Sequence, residues 1–117
     1  MLYKQLDILW VDLNPMRGSE TRKKRPFVDI QSDLVNKSSH TIIVAPILPN
    51  HKEWPFVVNI TANKINNLDR DRHINLKQLR AVDVSHIGKR QGIIEKKYVN
   101  QIYESLKIIF GINILKH

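Results

Sequence analysis

The 117-residue sequence contains no cysteine, only four glycines and five prolines, and no long apolar run. The absence of cysteine excludes disulfide bonds, thiolate metal sites and a cysteine nucleophile. No apolar stretch reaches the roughly 18 residues of a membrane span, and the N-terminus lacks an apolar signal-peptide core. We therefore expect a cytoplasmic protein without a membrane segment.

The amino-acid composition is that of an ordered, basic protein. With 42% hydrophobic and 26% charged residues, the chain has the composition of a globular domain, and its length favours a single domain over residues 1–117. The formal net charge is +8 and the isoelectric point is about 9.9. This charge favours a polyanionic partner, either a nucleic acid or an acidic protein segment, and does not choose between them.

Short β-strands dominate the first three quarters of the chain. The alternating segment 7–13 and the apolar, β-branched segment 41–48 predict strands, the second covered on both faces. Segment 27–31 predicts a strand whose Asp29 and Gln31 point to water. Further strands are predicted at 54–60, 73–76 and 80–84, a loop at 61–73, a helical turn at 33–36 and a turn at 88–92.

Helical spacing appears only near the C-terminus. Val99, Ile102, Leu106 and Ile109 recur at steps of three and four, which predicts a helix over 95–110, and Gly111 follows as its C-cap. Strands followed by one helix predict an α+β, mainly β domain, whose antiparallel sheet curls into a small barrel.

The loop between the first two strands, from Asp12 to Pro26, concentrates positive charge. Between these two end residues it carries five cations against the single acid Glu20, and the cations are Arg17, Arg22, Lys23, Lys24 and Arg25. Such a run is either a solvated surface or an anion-binding loop, and composition alone leaves both interpretations open.

Several short motifs resemble the MazF/PemK toxins of bacterial toxin–antitoxin systems. They are the segment 7–15 (DILWVDLNP), Gly18-Ser-Glu20, Arg25-Pro26, Ala45-Pro-Ile47, Trp54-Pro-Phe56, the segment 79–83 (LRAVD) and Phe110-Gly111. Each motif is weak alone, but their order and separations are specific.

The resemblance implies an SH3-like antiparallel β-barrel of the CcdB/MazF/Kid type with a C-terminal α-helix, forming a homodimer. It also implies a sequence-specific, metal-independent endoribonuclease without cofactor, which cuts single-stranded mRNA to 2′,3′-cyclic phosphate and 5′-hydroxyl ends and inhibits translation and growth. The implied partners are a cognate antitoxin that binds through an acidic C-terminal segment and, only through the antitoxin complex, operator DNA.

Arg25 is the first candidate for catalysis, because the matching Arg-Pro arginine is catalytic in the family and a guanidinium can hold two phosphate oxygens. A free arginine is effectively never deprotonated, so we assign it electrostatic stabilisation. RNA contacts are expected from Arg17, Arg22, Lys23, Lys24, Lys52, Trp54, Gln78 and Arg80. Trp54 has the alternative of packing within the fold.

Two positions depart from the family pattern. Leu48 stands where relatives commonly carry a catalytic threonine, and Lys77 stands where some carry an acid. The remaining candidates for proton transfer are Glu20, ranked first, and His51, with Ser19 orienting the phosphate. No histidine shows metal-ligand spacing, so we expect no metal site.

The departures leave two competing functions open. One is a catalytically weakened barrel that binds RNA or the antitoxin and acts in DNA autoregulation. The other is a poison of DNA gyrase, as in the related CcdB toxins.

Overall fold

The computed structural model describes residues 3–13 and 24–111. Within them lie seven strands: β1 (Asp7–Asp12), β2 (Lys24–Asp29), β3 (Thr41–Pro49), β4 (Val57–Ile60), β5 (Arg72–Asn75), β6 (Arg80–Asp83) and β7 (Ile87–Ile93). Two α-helices, α1 (Asp33–Asn36) and α2 (Val99–Phe110), and three 3₁₀ turns, Leu76–Gln78, Val84–His86 and Lys96–Tyr98, complete these segments. The expected mainly antiparallel fold with a C-terminal helix is confirmed.

Strand β3 is the centre of the sheet. The strand order is β4-β5-β3-β2-β1-β7, and β6 also pairs with β3. All pairings are antiparallel. Along β3, residues 44–46 pair with β2, residues 41–44 with β6 and residues 47–49 with β5. The predicted burial on both faces holds only for residues 44–47, because Thr41 and Ile43 are exposed.

Apolar side chains form two cores, because successive residues of a strand point to opposite faces. The first core includes Ile8, Val28, Ala45, Ile47, Val58, Ile60, Ile74, Leu76, Ile94 and Ile102. The second core consists of Leu9, Val11, Phe27, Ile42, Val44 and Val82, with Leu13, Val84 and Ile87 packed against it. Alternation within β1 therefore supplies both cores.

Helix α2 covers the first core through Ile102, Leu106 and Ile109. It begins at Val99 rather than Glu95, because Lys96–Tyr98 forms a 3₁₀ turn first. Gly111 ends it in the left-handed region at φ 63°, and its N–H donates to the Lys107 carbonyl at 2.8 Å. The predicted glycine cap is confirmed.

The expectation that Asp29 and Gln31 face water is wrong. Both are buried, at 0% and 8% exposure. Asn36 Nδ2 donates to Asp29 Oδ2 at 2.8 Å, Gln31 N donates to Asp29 Oδ1 at 2.8 Å, and Gln31 Nε2 donates to Asn36 Oδ1 at 2.8 Å. The polar residues at the end of β2 thus bind the helical turn α1, which Ser32 caps by accepting a hydrogen bond from Val35 N.

Two other boundaries need correction. Residues 54–56 precede β4, which begins only at Val57. The segment 88–92, predicted as a turn, lies inside β7. Glycine is required at position 92 because the backbone of β7 passes close to the loop that contains Ile65 and Asn66. A Cβ at Gly92 would lie 2.7 Å from the carbonyl oxygens of both residues. This glycine serves close approach rather than a turn.

No helix within residues 3–13 and 24–111 is long and apolar enough to cross a membrane.

The buried Asp29 carboxyl makes stability depend on pH. Burial raises its pKa from 3.8 to about 7, against the lowering effect of hydrogen bonds from Gln31 and Asn36. The folded protein therefore keeps a proton that the unfolded chain has lost, so this contribution to stability is complete below pH 3.8 and is lost as pH rises towards 7. At most about 4 kcal/mol is involved, at roughly 1.4 kcal/mol per pKa unit.

We predict that Asp29→Asn removes the loss of stability that the Asp29 carboxyl causes as pH rises. The free energy of unfolding of both proteins is measured in denaturant between pH 4 and 8. The value for the variant minus the value for wild type should increase as pH rises. Any fixed cost of the lost acceptor oxygen appears at every pH. The exposed Glu104→Gln is the control and should follow wild type, and parallel curves for Asp29→Asn and wild type would contradict the assignment.

Candidate functional site

Two exposed basic residues begin strand β2. Lys24 lies opposite Asp12, and Arg25 lies opposite Val11. Cross-strand partners share a face of the sheet, so Arg25 lies on the face of the second core. The sequence predicts a loop that extends to Pro26, but strand β2 already begins at Lys24. Arg25 is therefore positioned by paired backbone rather than by a free loop.

Five predicted site residues lie outside the described residues. They are Arg17, Ser19, Glu20, Arg22 and Lys23. Their assignments remain predictions from the sequence.

Leu48 lies near the end of β3, in the neighbourhood expected for the family's threonine. The β2–β3 pairing runs through Phe27 and Pro46, and continuing its register by two residues would place Leu48 across from Arg25. On its other side Leu48 is paired with His73 of β5. Because leucine can neither donate nor accept a hydrogen bond, this position offers no proton transfer.

The turn formed by residues 50–56 is anchored to β4 and β5. Asn50 has a positive φ of 76°, which asparagine tolerates, and its carbonyl accepts from His73 Nδ1 at 2.8 Å. Asn59 holds both backbone groups of Lys52: its Oδ1 accepts from Lys52 N at 3.1 Å, and its Nδ2 donates to Lys52 O at 2.9 Å. The backbone that carries His51 and Lys52 is thus fixed from outside the turn.

His51 is exposed, and its Nε2 contacts a carboxylate oxygen of Glu53. A carboxylate bound to one ring nitrogen orients the imidazole and leaves the other nitrogen, Nδ1, towards solvent or substrate. Glu53 was not among the predicted site residues, although its spacing of two from His51 was visible in the sequence.

Trp54 and Phe56 form a stacked pair between two lysines. Their ring centroids lie 5.4 Å apart, with an interplanar angle of 22°. Lys52 Nζ lies 5.2 Å from the Trp54 centroid, and Lys77 Nζ lies 5.2 Å from the Phe56 centroid. We call these four residues the aromatic row. Trp54 is 46% exposed, so it is not consumed by core packing.

The aromatic row reaches the 76–80 segment through Lys77. Gln78 is exposed directly beside it, in a 3₁₀ turn capped by Asn75, whose Oδ1 accepts from Lys77 N at 3.1 Å. Sequence reasoning missed Phe56 and Lys77 as site candidates. Phe56 shares the Trp-Pro-Phe motif. Lys77, noted above only as a departure from the family pattern, is 21 positions further along the chain, so the sequence gives no sign that the two side chains meet.

Arg80 lies elsewhere, in a cavity of about 270 Å³ between β1 and β6. We call it the Arg80 cavity; its walls are Asp12, Leu13, Arg80, Ala81, Val82, Asp83 and His86. The structure therefore gathers Lys52, Trp54 and Gln78 around the aromatic row and places Arg80 on the side of β1. Arg25 lies in β2, between β1 and β3.

No group of three or more histidine, aspartate or glutamate residues that could hold a metal ion occurs within 3–13 and 24–111. The described part of the site offers cations, amides and imidazoles, which suit an anionic ligand.

The fold defines the class of protein. An endoribonuclease from a mycobacterial species, solved with its cognate antitoxin, superposes with a TM-score of 0.77 at 12% identity, covering 93% of this chain and 95% of that one. The Mycobacterium tuberculosis toxin MazF-mt6 gives 0.76 at 18% identity, covering 90% and 96%. At these identities the likeness shows the fold, which is that of MazF-type toxins.

Sequence similarity supplies the family. Residues 4–110 match the PemK-like, MazF-like toxins of type II toxin–antitoxin systems. Endoribonuclease MazF of Staphylococcus epidermidis is 34% identical over 113 residues, covering 95% of this chain and 93% of the relative. The chain belongs to this family, whose members are endoribonuclease toxins, and the membership expected from the sequence is confirmed.

The anchored turn gives a stability prediction. Asn59→Ala removes two hydrogen bonds to Lys52 and should lower the free energy of unfolding by about 1–3 kcal/mol. Denaturant unfolding measures the change, with the exposed Asn100→Ala in α2 as the matched control. Equal losses in both variants would show that Asn59 does not anchor the turn.

Proposed function

We propose that this toxin cleaves single-stranded RNA at a short sequence without a metal, giving 2′,3′-cyclic phosphate and 5′-hydroxyl ends. Its targets are mRNAs in the bacterial cytoplasm, and their loss stops translation and growth. The observation that carries this proposal is the exposed Arg25 at the start of β2, within the matched family segment and directly after the basic loop in sequence.

Cleavage needs three things: removal of the 2′-hydroxyl proton, stabilisation of charge on the phosphate, and release of the 5′-oxygen. Arg25 supplies the second, since its guanidinium can contact two phosphate oxygens while its backbone is fixed by pairing to Val11. The proton acceptor is assigned to Glu20 or His51, and Ser19 orients the phosphate. Glu53 would orient His51.

The RNA strand is bound by cations and one aromatic platform. Lys24 and Lys52 attract phosphates, together with Arg17, Arg22 and Lys23 of the loop. Trp54 stacks on an unpaired base, and Gln78 reads base edges that single-stranded RNA exposes. Arg80 contacts the strand from the Arg80 cavity.

The same cationic surface suits the antitoxin. An acidic C-terminal segment of the antitoxin would cover Arg25 and the aromatic row and so block RNA binding. The toxin acts as a homodimer, and it meets operator DNA only through the antitoxin complex.

Loss of Arg25 tests the catalytic proposal. Arg25→Ala should cut a long RNA in EDTA about 10²–10³-fold more slowly than wild type, the usual cost of removing one charge-stabilising group. Mapping of new 5′ ends measures cleavage, and the exposed Arg70→Ala is the charge-matched control.

If wild type leaves the RNA intact under these conditions, the proposal fails in favour of a binding barrel, the alternative that Leu48 and Lys77 suggest. Full activity of Arg25→Ala would instead remove Arg25 from catalysis.

Base stacking on Trp54 can be observed directly, because the chain has only two tryptophans. In a Trp10→Phe background, a 2′-deoxy oligonucleotide of the cleaved sequence should quench Trp54 fluorescence on binding. Trp54→Leu should weaken binding by about 1–3 kcal/mol, measured by titration of a labelled strand. Lys89→Ala in β7 serves as a surface control, and unchanged affinity of Trp54→Leu would return this residue to a packing role.

A further inference from the structure

His86 has no role in the function described so far, yet it lines the Arg80 cavity. It is exposed and ends the 3₁₀ turn Val84–His86 before β7. Asp83 caps that turn, with its Oδ1 accepting from Ser85 N at 2.8 Å. A local hydrogen bond therefore fixes the backbone that presents this imidazole to the cavity.

The strand register places His86 close to Arg25. Arg25 lies opposite Val11 in β1, and Val11 lies opposite Ile87 in β7. Neighbouring strands are separated by about 4.8 Å, so the backbones of Arg25 and Ile87 are about 10 Å apart. His86 directly precedes Ile87, so its backbone lies within about 14 Å of that of Arg25, a gap that one phosphodiester and two extended side chains can fill.

The two faces agree with this placement. Arg25 shares the face of Val11, and Ile87 packs against the same second core. Val82, a member of that core, and Leu13, which packs on it, also line the Arg80 cavity. Arg25 and the cavity thus lie on one side of the sheet.

The strand order separates the two imidazoles around Arg25. In the order β3-β2-β1-β7, Arg25 lies in β2, His51 follows β3, and His86 precedes β7. In-line displacement at phosphorus needs the attacking and leaving oxygens on opposite sides. With His51 as the acceptor on the β3 side, the proton donor is required on the opposite, β7 side.

We propose that His86 is a further catalytic residue, which donates a proton to the leaving 5′-oxygen; this inference rests on the proposed cleavage. The 2′-oxygen forms its bond to phosphorus as the bond to the 5′-oxygen breaks. The 2′-hydroxyl proton passes to the acceptor, and the imidazolium proton of His86 passes to the 5′-oxygen, giving the 5′-hydroxyl. The neutral imidazole then regains a proton from water.

Charged groups of both signs lie near His86. Asp12 and Asp83 line the same cavity, opposite in charge to Arg80. Asp83 carries a lowered pKa, caused first by its hydrogen bonds to Ser85, so it is ionised at neutral pH. Lys89 and Arg90 follow on β7. Imidazole is the side chain whose proton exchanges between pH 5 and 8, which suits general acid catalysis.

The test compares three histidine variants on one RNA in EDTA, under single-turnover conditions from pH 5.5 to 8.5. His86→Gln should lower the rate about 10²–10⁴-fold and remove the fall in rate on the alkaline side of the profile. His86→Arg keeps a cation without a transferable proton, so it should bind as wild type and remain slow. His40→Gln, an exposed histidine outside the cavity, should match wild type.

Affinity for a 2′-deoxy strand separates chemistry from binding, because this strand has no attacking hydroxyl. Affinity of His86→Gln within about 3-fold of wild type, alongside the rate loss, supports proton donation. A rate loss matched by an equal affinity loss, or rescue of the rate by His86→Arg, would overturn it in favour of a phosphate contact.

Two further results are distinguishable. RNA left uncut by wild type refutes the proposed function, and with it the role of His86. RNA cut equally well by wild type and His86→Gln refutes the role of His86 alone. Thermal unfolding midpoints are measured for wild type and each variant, so that rates are compared only between folded proteins.

Discussion

Pairing of β3 with three other strands is the constraint on which the rest of the structure depends. This strand holds β2 along one edge and β6 and then β5 along the other, and its residues 44–47 are buried on both faces. Its change of partners after Pro46 has a direct consequence for the site. Because β2 is no longer paired to β3 beyond Phe27, the start of β2 with Lys24 and Arg25 remains exposed.

Two acidic side chains lie in the interior, whereas acids such as Glu53, Asp69 and Glu104 are exposed. Asp7 and Asp29 are buried, with Asp29 held by amides and Asp7 by Arg90 and the Lys4 N–H. Among the described residues the cations Lys24, Arg25, Lys77 and Arg80 are exposed. Removing carboxylates from the surface increases the positive field that a polyanion meets, beyond what the net charge of +8 alone indicates.

Much of the fold could be predicted, because its signals are local. The alternation in β1, the β-branched run in β3, and the spacing and glycine cap of α2 each depend on residues a few positions apart. The failures share a different cause. Asp29 and Gln31 were read as surface residues because their amide partner Asn36 belongs to a separate element, and β7 was read as a turn because Gly92 meets a loop some 25 positions earlier. The candidate site shows the same difference between local and long-range signals. Arg25 and Trp54 lie in recognisable motifs, whereas Lys77 and His86 meet their neighbours only through tertiary contacts.

Basic side chains on strand β7 have a second role, which concerns the edge of the sheet. It ends the strand order of the described sheet, with β1 on one side. An edge strand offers unpaired backbone groups to any other extended chain, and charged side chains are a common defence against such pairing. Lys89 and Arg90 are exposed along this edge. Arg90 is paired with the buried Asp7, and the exposed charge of Lys89 opposes edge-to-edge pairing with a second copy, a use of positive charge separate from the attraction of RNA.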